Sequence, residues 1–301
     1  MIAAALCVST IAVAGQGRPA NGPPQTPPRG APPPRALASE VPADASFQPH
    51  KIAGNLYYVG TRGLAVYLLT TPVGHILINA VYPASVPLVR ASVEALGFRM
   101  ADIELMVNSH AHPDHVSGNA DLKALTGASV LVMDDDVEVI KSGGRSDFHY
   151  ANQENFPPGP VDRMLHDGDH VSLGGTTLTA VKTPGHTRGC TTWAFSVTDA
   201  GRSYNVVILC SINFNPGYRL VDNEAWPGIA GGFAHTYRAV AALHPDIWLA
   251  PHTFMFGLTD KFARLQAGTG SNPYVDPEGF TSYVAARRTE FLEEFARQMQ
   301  R

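Results

Sequence analysis

From residue 47 onward the chain alternates short apolar runs with stretches of helical period. Residues 55–60, 65–71 and 75–80 are rich in Leu, Tyr, Val and Ile and are separated by TRG and TPVG, so they predict three successive strands joined by turns. Residues 83–96 place Val86, Val89, Val93 and Leu96 at helical spacing and end at Gly97. Residues 103–109 (IELMVNS) predict a buried strand. They are followed by a helix over 119–125 that stops at Gly127, a strand over 129–133, and a helix over 134–141 with three Asp in its first turn. Residues 142–160, full of Gly, Pro, Asn and Ser and without a period, predict a long loop of the kind that borders a site.

The second half repeats the theme. Strands are expected at 170–173, 176–182, 191–197, 204–209 and 247–250, with a helix near 232–243. Asp276-Pro277-Glu278 caps a last helix that turns Phe280, Val284, Phe291 and Phe295 inward. Two sheet-rich halves, each with helices, imply an α/β four-layer αββα sandwich.

The N-terminus changes the picture of where the domain starts. Residues 2–13 are almost wholly apolar, too short to span a bilayer, and Ala12-Val13-Ala14 fits a small-x-small cleavage pattern, so 1–14 is expected to be a signal peptide. No Lys or Arg follows Met1, a departure from that pattern, and the residues before Cys7 do not suit lipidation. Nine prolines between residues 15 and 46 predict an extended linker, leaving 47–301 as the folded domain. A periplasmic or secreted protein is expected, monomeric and without a membrane anchor. Cys190 and Cys210 remain after Cys7 is removed, and the sequence leaves open a disulfide or two buried thiols.

With 45% hydrophobic and 16% charged residues in 301, the chain can bury a full core. A net charge of −4 and no Lys/Arg stripe interleaved with aromatics argue against nucleic acid and for small-molecule partners.

The chemistry concentrates at residues 110–115, HAHPDH, placed where the 103–109 strand ends. Three imidazoles and a carboxylate in six residues suit zinc far better than a hydrophobic core. His186 (TPGHT) and His252 (APHT) also follow predicted strands beside Gly or Pro, which brings the set to six: His110, His112, Asp114, His115, His186 and His252. Six ligands serve two ions with three side chains each, the open coordination of catalytic zinc. His50, His75, His149, His166, His170, His235 and His244 lack this setting and read as ordinary surface or core histidines.

These motifs, with NLYYVG (55–60), ILIN (76–79), SDFHYAN (146–152), PGHTRGCTTW (184–193) and NPGY (215–218), make the chain resemble the metallo-β-lactamase-fold hydrolases, and within them the subclass B3 metallo-β-lactamases. The resemblance implies that His110, His112 and His186 hold one zinc, that Asp114, His115 and His252 hold the second, and that Ser211, Asn215, Tyr218 and Tyr150 line the substrate pocket. It implies attack of a zinc-bound hydroxide, oriented by Asp114, on the β-lactam ring amide. Thioesterase-like and nuclease-like relatives carry a bridging Asp at the end of the 204–209 strand; here Leu209-Cys210-Ser211 offers none. Cys210 departs from the small residue usual there; strand alternation favours a buried thiol pointing into the sandwich, with a thiolate ligand of the second metal as the alternative. Pro113 within the metal run is also unusual. The alternatives are a same-fold hydrolase of a lactone or thioester, and a non-catalytic zinc-binding protein.

Overall fold

The computed structural model describes residues 42, 44–151, 153, 155–268 and 270–300. The expected signal peptide, nearly all of the linker and Asn152 of the SDFHYAN block lie outside them. A seven-stranded sheet runs in chain order: β1 (His50–Ala53), β2 (Leu56–Tyr58), β3 (Tyr67–Thr71), β4 (Gly74–Ile78), β5 (Ile103–Val107), β6 (Ser129–Met133) and β7 (Arg163–Leu165). Its first four strands pair antiparallel, and from β4 onward the pairs are parallel. The second sheet is built from β8 (His170–Leu173), β9 (Thr176–Lys182), β10 (Thr191–Asp199), β11 (Arg202–Ile208) and β12 (Ile247–Leu249) in the order β12-β11-β10-β9-β8.

Strand alternation sorts the core into layers, because successive side chains face opposite sides. Leu56, Tyr58, Ile76, Ile78 and Val107 meet Leu178, Ala180, Trp193 and Phe195 between the sheets. On the outer face of the first sheet Leu68, Leu77, Met106 and Val130 pack with Val89 and Val93 of α1 (Val86–Ala95), Val116 of the short α2 (Pro113–Val116), Leu122 of α3 (Asn119–Thr126) and Ile140 of α4 (Asp134–Ser142). The second sheet is covered by α5 (Ile229–Ala241), through Phe233 and Val240; its core continues past α6 (Thr253–Phe256) and α7 (Leu258–Ala267) to Phe280, Val284 and Phe291 of α8 (Pro277–Met299). The result is the four-layer αββα sandwich.

Cys190 and Cys210 form a disulfide, with Cα atoms 6.0 Å apart, across the entries to β10 and the exit from β11. This settles what composition left open. The short β1 and β7, together with α2, α6 and α7, are elements that periodicity did not reveal. Among the described residues no helix is long and apolar enough to cross a membrane.

Candidate metal centre

The residues with metal-ligand chemistry gather where strands of both sheets end. Hydrogen bonds hold the 110–115 turn in place before any metal is considered. Asn79, at the end of β4 with a left-handed φ of 71°, accepts the Ser109 N–H at 2.7 Å, and its own N–H donates to Val107. Asn108 and Asn119 bond each other reciprocally, at 3.2 and 3.0 Å, while the Asn108 amide donates to the His115 carbonyl. Pro113 occupies the first turn of α2, a position where its missing N–H costs nothing.

Ligand atoms of His110, His112 and His186 lie within 4.8 Å of one another, as do those of His110, Asp114 and His115. His252 joins the second group: its Nε2 is 3.3 Å from His115 Nε2 and 3.5 Å from Asp114 Oδ2. All six expected residues therefore share one site. Burial, reinforced by the facing imidazoles, pushes His110 and His115 well below the ordinary histidine value. Burial and His112 take His186 down to about 3. Neutral imidazole is the form that ligates metal.

The donor set fits a zinc ion. Among the described residues, His110 Nε2 is buried without a hydrogen-bond partner, a costly condition unless another group completes it. Neutral nitrogens with a single carboxylate match zinc rather than the all-oxygen preference of calcium or magnesium. His186 Nδ1 donates to the Asn213 carbonyl at 2.8 Å, which fixes its tautomer and leaves Nε2 for a metal.

Asp136, read from sequence only as a helix-start carboxylate, is fully buried and ties the two histidine loops together. It accepts from Ala111 N–H, Thr187 Oγ1 and Gly189 N–H, at 2.8, 2.9 and 2.8 Å. Burial raises its carboxyl to about 6 against the lowering effect of those donors. Asp147 plays a similar part in the long loop, accepting from the backbone of His149 and Tyr150 and so turning Tyr150 toward His112, 5.4 Å away ring to ring.

The four residues expected to line the pocket differ in what they offer. Tyr150 and Asn215 are half-buried. Tyr218 is only 3% exposed, and its hydroxyl donates to the His186 carbonyl at 2.7 Å, so it braces a ligand loop. Ser211 is completely buried, with its hydroxyl unpaired among the described residues. Cys210 is committed to its disulfide, and its sulfur sits 3.7 Å from His110 Nδ1, behind the site.

Residues 59–197 match the metallo-beta-lactamase superfamily. The fold also overlays the native FEZ-1 metallo-beta-lactamase from Legionella gormanii with a TM-score of 0.84 and 48% identity, covering 86% of this chain and 99% of that one. The chain belongs to the metallo-beta-lactamase superfamily. Its structural neighbours include subclass B3 enzymes, among them the di-zinc LRA-12 from an Alaskan soil metagenome, at 34% identity, TM-score 0.78 and coverage of 83% and 94%. Among curated relatives, the hydroxyacylglutathione hydrolase of Methylococcus capsulatus is 36% identical over 124 residues, 41% of this chain. The chain spans only 40% of that enzyme's length. Superfamily membership thus accounts for the sandwich, and the overlay on FEZ-1 takes in nearly the whole of that enzyme.

Proposed function

We propose that this protein hydrolyses the ring amide of β-lactam antibiotics with two zinc ions. The observation that carries the reading is the end of β11. There Leu209, Cys210 and Ser211 bring no carboxylate to the metal site, and Cys210 is turned into a disulfide. A thioester hydrolase of this fold would place a bridging Asp at that point. The identity to FEZ-1 along nearly that enzyme's whole length supports the same choice.

His110, His112 and His186 would hold one ion, and Asp114, His115 and His252 the other. Zinc bound there supplies Lewis acidity, bringing water toward ionisation near neutral pH and drawing charge from a carbonyl. The five imidazoles act as neutral donors. Asp114 is the only carboxylate of the six, so it offsets the cationic charge and accepts a hydrogen bond that orients the attacking water. Asn213 and Asp136 keep the loops of His186 and of His110 and His112 from drifting. Tyr150, beside His112, is the pocket wall toward the first ion, and Asn215 offers an amide to the substrate's polar groups. The disulfide supports a location outside the reducing cytoplasm.

The test is a panel of penicillin, cephalosporin and carbapenem substrates beside S-lactoylglutathione, run with and without a chelator. Lactam turnover abolished by chelation and restored by zinc is expected. Thioester turnover without lactam turnover would overturn the reading.

A further inference from the structure

Among the described large apolar side chains, Phe254 is the most exposed, at 77%. It is also the one whose neighbour is a member of the metal set: its ring stacks on His252 with centroids 5.6 Å apart and planes 27° from parallel. Its outer face is thus open to water beside the metal set, where a second ring can stack on it and gain burial.

The backbone beneath it is pinned. Leu64 bridges to His252, Thr253 N–H donates to Gly63 O at 3.1 Å, and Thr253 Oγ1 donates to Arg62 O at 2.7 Å. The 61–63 turn is itself fastened by Asp44, whose Oδ2 accepts from Thr61 Oγ1 and from Gly63 N–H at 2.7 and 2.6 Å. The ring is presented on a rigid support, which lowers the ordering cost of binding to it. It stands beside His252, whereas Tyr150 flanks His112.

We infer that Phe254, stacked on His252, forms a subsite for an aromatic side group of the substrate at the rim of the second metal position. The inference rests on the β-lactam reading for the nucleus that carries that group. A flat ring laid on Phe254 would cover exposed apolar surface at its outer face, while a methyl group at the same place would cover little. The subsite therefore selects among substrates that share one ring nucleus.

The experiment uses ring-opened penicilloic acids bearing a benzyl or a methyl side group, which cannot be hydrolysed further. Their Kd values are measured by calorimetry on the zinc-loaded protein and on Phe254→Ala and Phe254→Leu, with turnover of the intact parents recorded in parallel. The benzyl ligand is expected to bind more tightly than the methyl one, and the ratio should fall about tenfold in Phe254→Ala and by less in Phe254→Leu. An equal ratio in all three proteins overturns the subsite. So does a concentration-dependent dimer that disappears in Phe254→Ala, which would assign the ring to a contact between copies. Failure of the intact parents to turn over would instead overturn the proposed function, with the Kd ratio still deciding the subsite.

Discussion

The buried carboxylate of Asp136 accepts a hydrogen bond from the backbone N–H of Ala111 at 2.8 Å, and the same oxygen accepts from Thr187. Ala111 lies between His110 and His112, and Thr187 follows His186, so one side chain fixes the spacing of three expected ligands of the first ion. Asp136→Ala should lower zinc affinity by roughly ten- to a hundredfold, the usual effect of losing such a support. Asp136→Asn, which keeps the shape but turns an amide toward one of the donors, should fall between. Competition with a chromophoric chelator measures both, and wild-type affinity in Asp136→Ala would refute the role.

His115 and Asp114 approach each other at 3.3 Å, with His252 completing the group. His115→Ala removes one of three donors and should lower bound zinc from two per chain to one. β-lactam turnover should drop at least about tenfold, since the second ion would no longer stabilise charge in the transition state. Elemental analysis of the purified variant gives the count directly. Two firmly held ions in His115→Ala would mean that the second site is built from other residues.

How much of this was legible in the sequence depends on where the deciding interaction lies. β6 and α4 were readable to within a residue because Gly127, the apolar 129–133 run and the Asp triplet are local signals. β1 and β7 were not, being four and three residues long and defined by pairing with β2 and β6. Gly257, with φ of 69°, separates α6 from α7, and a single residue of that kind gives no periodic trace. The six histidine and aspartate residues announced themselves by type and spacing. Their supports did not: Asp136 reaches partners 25 to 53 positions away, and nothing near Asn79 in the chain indicates that it will hold Ser109. The cysteine pair stayed undecided for the same reason, since only the folded sheet brings β10 and β11 into register.

The disulfide closes a segment of 20 residues that contains all of β10 and β11. Constraining a loop of that size in the unfolded chain is worth roughly 3 kcal/mol. Cys190→Ala with Cys210→Ala should therefore lower the thermal midpoint by about 6–12 °C for a domain of this size. A reductant should shift the wild type in the same direction and leave the double variant unmoved. Equal midpoints for the oxidised wild type and the double variant would show that the cross-link contributes nothing.

His50 supplies a pH dependence separate from the metal site. It is buried on β1, its ring stacked on Tyr58 and Tyr274, with Nδ1 donating to Gln48 O at 2.9 Å and Nε2 accepting from the Tyr274 hydroxyl at 2.6 Å. That arrangement uses the neutral ring, and burial holds its pKa below the ordinary 6.5 despite the Gln48 carbonyl, which raises it. Between the lowered folded value and 6.5 the unfolded chain binds more protons, so the stabilisation is present above about 6.5 and is lost as pH falls through the folded value. His50→Phe keeps the stack but leaves Gln48 O and Tyr274 without their partner, a cost of about 1–3 kcal/mol at pH 7.5. At pH 5 the wild type must also pay to bury or deprotonate the imidazolium, so the gap between the two proteins should narrow or reverse. Thermal midpoints of both at pH 7.5 and pH 5, taken on zinc-free samples so that metal release contributes equally, measure the difference of differences. A gap that is the same at the two pH values would mean that His50 does not titrate with folding.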